Sequence, residues 1–240
     1  MRILHVLDHS IPLHSGYTFR TAALLREQRA LGWETHHVTS PKQGHLEFSS
    51  EEVDGLNFYR TQPAQGAMAH APLAREWLLM RQLTVRLEEV TRKVRPDVIH
   101  AHSPVLNALP ALKVGRKLGI PVVYEIRAFW EDAAVDHGST REGSLRYRLT
   151  RALESRAIRE AAHVFTICEG LRADIVARGV PAGKITVIPN AVDVDAFQLA
   201  RPAEPALQQQ WGLAGRTVIG FIGSFYAYEG LDLLVDTMPN

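Results

Sequence analysis

The sequence predicts an α/β protein built on a doubly wound parallel sheet, followed by the start of a second β-α unit. From residue 3 to residue 188, short apolar runs alternate with longer amphipathic segments. Most of the runs are continuously apolar, as in strands covered on both faces. The amphipathic segments repeatedly close on glycine, at Gly32, Gly119 and Gly179, the residue that most readily follows a helix C-terminus. Alternation of this kind places helices on both faces of one parallel sheet.

Taken in order, residues 3–7 read as a buried strand. Residues 18–31 read as a helix with Ala22, Leu25, Arg29 and Ala30 near one face, and residues 35–39 as a second strand. Residues 40–72 are loop-rich, with residues 58–59 a candidate short strand. A long helix spans residues 74–94 and stops at Arg95-Pro96, because the residue before a proline is pushed out of the helical region. Strands at 98–100, 121–124, 164–167 and 185–188 then alternate with helices at 105–118, 144–161 and 171–178. Residues 198–213 carry Pro202 and Pro205 and no strand signal, so they read as a linker. Beyond it, residues 218–222 form an apolar run, Gly223 breaks it, and Leu231, Leu234, Val235 and Met238 recur at helical spacing.

Composition sets bounds. The 240 residues are 46% hydrophobic and 22% charged, and the net charge of +1 gives no general attraction to nucleic acid. The single cysteine, Cys168, excludes an internal disulfide framework and fits a reducing compartment. No apolar run approaches the roughly 18 residues of a membrane span, and the apolar start is too brief for a secretory signal. A cytoplasmic protein is expected.

In open α/β sheets, ligands bind beyond the carboxyl ends of the strands, which singles out four loops. Residues 8–17, DHSIPLHSGY, place Gly16 just before a helix, where a missing Cβ would admit a phosphate to free N–H groups; the alternative is a glycine that shapes a turn. Residues 98–104, VIHAHSP, put His100 and His102 on one side of a continuing strand. His-x-His permits metal ligation, but no cysteine, third histidine or carboxylate lies nearby in the sequence, so no metal is expected. Residues 124–144 are rich in charges and aromatics, among them Glu125, Arg127, Trp130 and Glu131; such a loop binds something or packs on a partner domain. In residues 185–197 a strand runs into Pro189-Asn190, where the chain turns out of the domain. The helix at 144–161 spreads Arg146, Arg148, Arg151, Arg156 and Arg159 around a leucine stripe. A solvated face is the plain reading, and attraction to an anionic surface the sharper one.

The segments MRILHV, HSGYTFRTAALLREQRALGWETHHVT, PDVIHAHSP, GIPVVYEIRAFWED, TICEGLRADIVARG, KITVIPNAVDVDAF and GFIGSFYAYEGLDLL together resemble the GT-B retaining glycosyltransferases of family 4. The resemblance covers the whole chain. YEIRAFWEDAAVDHG and GSFYAYEGLDLL are similar to a narrower subgroup, associated with exosortase and PEP-CTERM systems and with exopolysaccharide biosynthesis. The family has two Rossmann-like domains facing across a cleft. The resemblance implies an N-terminal acceptor-side domain over residues 1–190, a linker over 191–215, and over 216–240 the truncated start of a C-terminal nucleotide-sugar domain.

By position, the resemblance makes His102 the residue near the reacting sugar. Gly16, Gly223 and Ser224 become donor-phosphate residues, His9, Glu125 and Arg127 acceptor-side residues, and Asn190 the hinge. Two positions depart from the pattern. Many relatives carry arginine and lysine where this chain has Ser224 and Glu229, so the cationic clamp on a leaving diphosphate is not visible, and Glu229 faces donor sugar or phosphate only if it turns to accept a hydroxyl. The implied reaction moves a sugar from a nucleotide-diphosphate sugar to a glycan or lipid-linked acceptor. It needs no cofactor and no metal, and takes place in the cytoplasm or at the inner face of an anionic plasma membrane. The 240-residue chain alone is expected to be inactive. A non-catalytic α/β module that binds sugar or docks a partner is the second reading. A nicotinamide-dependent dehydrogenase is disfavoured because no G-x-G-x-x-G follows the first strand.

Overall fold

The computed structural model describes residues 1–44, 48–64, 74–195, 204–223, 225–226 and 229–238. The chain divides into two compact units, Met1–Asn190 and Ala191–Asn240.

The first unit is the expected doubly wound sheet. Its strands are β1 (Arg2–Leu7), β2 (Glu34–Thr39), β3 (Ser50–Val53), β4 (Leu56–Arg60), β5 (Val98–His102), β6 (Val122–Ile126), β7 (His163–Thr166) and β8 (Ile185–Val187). They lie in the order β3-β4-β2-β1-β5-β6-β7-β8, and every neighbouring pair is parallel except β3 with β4. The helices are α1 (Gly16–Ala30), α2 (Ala74–Val94), α3 (Val105–Leu118), α4 (Trp130–Asp136), α5 (Leu145–Glu160) and α6 (Glu169–Ala177).

The two faces of the sheet differ. Leu83 and Leu87 of α2, Ala108 and Ala111 of α3, and Ala157 and Ile158 of α5 form one buried cluster with Leu4, Val6, Ile99, Ala101, Tyr124 and Ile126 of the central strands. Each fully buried leucine, isoleucine or valine there contributes about 1.5–3 kcal/mol. Gly115 lets α3 close on β6: a Cβ at that position would press on the Val122 side chain and lie 2.7 Å from the Ile120 carbonyl oxygen. On the opposite face, α1 buries Ala22 and Leu25 against Leu7, Leu56 and Phe58, and adds Thr18, Thr21 and Gln28 to its buried stripe. The expected apolar face of this helix is therefore shifted. Arg29 and Ala30 are exposed, because the sheet centre beneath α1 is polar and polar residues answer it.

Residues 40–72 hold more structure than expected: β3 and β4 form a hairpin through Asp54 and Gly55, both at positive φ (52° and 71°). Asp-Gly is the residue pair that such a two-residue turn favours. Residues 124–144 likewise contain α4, whose seven residues are too few to show a periodic pattern.

The second unit holds α7 (Pro205–Gln210), inside the stretch read as linker, and α8 (Leu231–Asp236), where helical spacing placed a helix. Residues 218–222 do not form the expected strand; Val218, Ile219 and Ile222 are exposed. A strand is completed by ladder hydrogen bonds to a neighbour, and among the described residues none lies beside this run.

Candidate functional site

The chain passes from β1 through α1 to β2 on one side of the sheet, whereas β5 lies on the other side of β1. This is the switch point at which doubly wound sheets open a crevice. The parallel register sets His5 of β1 between His37 of β2 and His100 of β5, and sets His102 beside Glu125 of β6. Strand alternation then aims His5, His100, His102 and Glu125 at the face covered by α1.

His102 and His5 are fully buried, and their hydrogen bonds run in one direction. An Arg127 Nη2–H donates to His102 Nδ1 at 2.9 Å. The guanidinium can only donate, so Nδ1 accepts and His102 carries its proton on Nε2. That Nε2 lies 3.0 Å from His5 Nδ1, and His5 Nε2 lies 2.9 Å from Gln28 Oε1. Both imidazoles are thus neutral Nε2–H tautomers, each donating to the next acceptor. Burial, with the neighbouring His100, lowers both pKa values well below the ordinary histidine range.

Glu125 is 3% exposed. Its Oε1 accepts from Arg127 Nε at 2.9 Å and Arg20 Nε at 3.1 Å, while Oε2 lies 3.2 Å from His100 Nε2 and 3.4 Å from His102 Nδ1. Burial alone would push this carboxyl up. The contact with His100 and the Arg127 guanidinium outweigh it and hold Glu125 well below the usual carboxylate range. Arg127 also donates to the Tyr17 carbonyl oxygen (3.0 Å) and Thr21 Oγ1 (3.1 Å), with its guanidinium 4.4 Å from the Tyr17 ring centre. Arg127 thereby fixes α1 to the end of β6.

The structure brings His9, His102, Glu125, Arg127 and Asn190 to this carboxyl edge. His9 sits between Asp8 Oδ2 (3.1 Å) and Ser15 Oγ (3.0 Å) and stacks on Tyr17. Lys42 Nζ reaches Asp8 Oδ1 at 2.9 Å. Gly16 opens α1 behind a Ser15–Thr18 capping box, and a Cβ there would meet nothing within 4 Å. Asn190 Oδ1 accepts from Arg20 Nη1 at 3.0 Å. Gly223 and Glu229 belong to the second unit; a Cβ on Gly223 would lie 3.0 Å from the Phe221 ring, and the Glu229 amide donates to the Tyr226 carbonyl oxygen. Ser224 lies outside the described residues.

Sequence reasoning missed His5, Gln28 and Arg20. The third histidine was sought near His102 in sequence, whereas it arrives from 97 residues away through strand register. The buried polar residues of α1 were the available signal for Gln28. Arg20 joins partners 105 and 170 residues distant, and no local pattern announces it.

Residues 15–191 match the family model described as "Glycosyl transferase 4-like domain". The chain belongs to this family. Among curated proteins, this glycosyl transferase 4-like chain is 30% identical over 138 residues to a GDP-mannose-dependent alpha-mannosyltransferase of Mycolicibacterium smegmatis, covering 58% of the chain and 35% of that protein. A protein of the same name from Mycobacterium tuberculosis is 27% identical over 151 residues, covering 63% of the chain and 38% of the relative. The chain thus aligns with little more than a third of each of these relatives. Among solved structures, sucrose-phosphate synthase from Thermosynechococcus elongatus superposes with a TM-score of 0.66 at 13% identity, over 89% of this chain and 53% of that one. Anabaena HepE in complex with UDP gives 0.64 at 16% identity, over 98% and 57%. These two likenesses are likenesses of fold.

Proposed function

We propose that the whole protein transfers a sugar from a nucleotide-diphosphate sugar to a glycan or lipid-linked acceptor. The observation that carries the reading is the buried His102–Glu125–Arg127 constellation at the switch point of a sheet that belongs to this family. The relatives' names support a nucleotide-sugar donor, GDP-mannose-dependent in two cases, and one structural neighbour holds UDP. Retention of anomeric configuration and a place in exopolysaccharide biosynthesis are parts of the same proposal, resting on the resemblance of the sequence to that enzyme group.

The chemistry sets what the site must supply. Breaking a sugar–phosphate bond passes through an oxocarbenium-like transition state, while the leaving diphosphate gains negative charge. Preorganised N–H groups and cations stabilise that charge best in a site closed to water. In this chain, the open N-terminus of α1 at Gly16 offers N–H groups to phosphate. Both ring nitrogens of His102 are engaged, by Arg127 and His5. No nucleophile is assigned. Nor does the proposal include a metal. Ligand atoms of His5, His100 and His102 lie within 4.8 Å of one another, but a cation there would face the Arg20 and Arg127 guanidinium groups across Glu125.

Incubating the protein with GDP-mannose or UDP-glucose and lipid or glycan acceptors tests the reading, with release of nucleotide diphosphate and the anomer of the product as readouts. His102→Ala should lower turnover roughly 10²-fold or more, and Gly16→Val should weaken donor use without unfolding the domain. An unchanged rate in both variants, or zinc bound stoichiometrically and lost with His102, would overturn it. A lesser proposal concerns α5, whose arginines favour an anionic membrane face; salt-sensitive sedimentation with anionic vesicles supports it, and equal binding to neutral vesicles removes it.

A further inference from the structure

Arg20 stands on α1, yet its side chain makes no bond along its own helix. Nε donates to Glu125 Oε1 at 3.1 Å, Nη2 to the Ile188 carbonyl oxygen at 2.9 Å, and Nη1 to both the Pro189 carbonyl oxygen and Asn190 Oδ1 at 3.0 Å. All three guanidinium nitrogens are occupied, and the side chain is 15% exposed. The acceptors are consecutive residues just past β8, at the end of the first unit. Ile188 still donates its amide to Thr166 at 2.7 Å, but Pro189 has no N–H to extend the ladder. From that residue onward the chain leaves the sheet, and one planar fork gathers the acceptors that the sheet no longer serves.

The other end of the fork is at the site. Glu125 Oε1 is shared by Arg20 and Arg127, and Arg127 in turn donates to His102 Nδ1. A continuous set of charge-assisted bonds therefore runs from His102 to the exit of the unit. We propose that Arg20 is a positioning residue, which fixes the direction in which the chain leaves the first unit and ties that direction to the Glu125 carboxylate. Lysine cannot replace it, because an ammonium is a point charge without the planar fork that reaches separated acceptors. For catalysis the inference rests on the glycosyl-transfer reading; as a statement about the chain's exit it stands by itself.

Hydrogen exchange on the 240-residue chain tests it, comparing wild type, Arg20→Ala and Arg20→Lys. Arg20→Lys keeps a cation near Glu125, so its denaturation midpoint should stay near that of wild type. In both variants the Ile188 amide, which holds the last ladder bond to Thr166, should exchange about tenfold faster or more, while the amides of β1, β5 and β6 change little. The carbonyl carbons of Ile188 and Pro189 should also shift as they lose their donor. The inference is overturned by unchanged exchange at the Ile188 amide, or by recovery of wild-type exchange there in Arg20→Lys. Acceleration spread evenly over the whole sheet in Arg20→Lys would overturn it too, since it would mark a general stability role. In the whole protein, absence of sugar transfer would defeat the functional reading alone and leave the exchange result on the 240-residue chain intact.

Discussion

Tyr124 and Glu125 are neighbours on β6 and point to opposite faces of the sheet, and two buried carboxylates, Glu125 itself and the Glu154 partner of Tyr124, are treated in opposite ways. Beneath α1, Glu125 accepts from two arginines and lies against two histidines. It is held ionised, well below the usual range. On the other face, Glu154 of α5 is equally buried but, among the described residues, has a single hydrogen-bond donor, the Tyr124 hydroxyl at 2.7 Å. Burial pushes its pKa up to about 7, and the nearby Glu131 adds to the rise. Depth of burial is the same in both cases. The number of donors and cations decides which carboxylate keeps its charge.

The largest expected effect comes from removing the ionised partner. Glu125→Ala leaves Arg20 and Arg127 buried without their carboxylate and should cost about 3–5 kcal/mol, measured by urea denaturation at neutral pH. A loss below about 1 kcal/mol would mean that water already solvates both guanidiniums, and the contrast between the faces would fail.

The second test is pH. Glu154 has a folded pKa raised from 4.5 to about 7. Between those values the folded state binds more protons than the unfolded state, so stability falls as pH rises through this window. The shift corresponds to about 3 kcal/mol. Glu125, His5 and His102 act with the opposite sign. Each has a lowered folded pKa, so the unfolded state takes up protons first on acidification and stability is lost as pH falls. Because the histidines titrate in the same window, the readout is the difference between wild type and Glu154→Gln: the stability of wild type relative to the variant should fall by about 3 kcal/mol between pH 4.5 and 7, while both keep the acid-side loss. A difference that stays flat across this window would show that Glu154 is not the group that titrates there.

A smaller effect sharpens the same point. Tyr124→Phe removes the one donor to Glu154 and should raise its pKa further, while costing about 1 kcal/mol at neutral pH. A lower Glu154 pKa in this variant, read by carboxyl 13C titration, would break the donor argument. The smallest expected change is none at all: ring 15N shifts of His5 and His102 should report neutral Nε2–H tautomers that persist below the usual histidine titration range. A protonated His102 near pH 6 would break the relay at its start, because an imidazolium has no lone pair on Nδ1 to accept from Arg127.

Much of the fold was legible because it depends on local order. The helices at Ala74–Val94 and Val105–Leu118 were visible in their apolar spacing and their stop signals. The hairpin at Asp54-Gly55 was also written in the chain, in a turn pair that the loop-rich reading passed over. In VIHAH the alternation itself separates Ile99 and Ala101 from His100 and His102, so the polar face of β5 could be read directly.

What the sequence by itself determined, then, is the doubly wound sheet, the loops at its carboxyl edge and the side on which His100 and His102 stand. These follow from periods of two and 3.6 residues, which need no distant partner. Only the tertiary structure decided that His5 completes the relay, that Gln28 ends it, and that Arg20 joins Glu125 to the exit at Asn190. Each of these depends on register between strands or on the packing of α1 across the sheet, which no local period encodes. The run at residues 218–222 gives the converse case: its composition is that of a strand, but a strand exists only where a neighbour supplies the ladder.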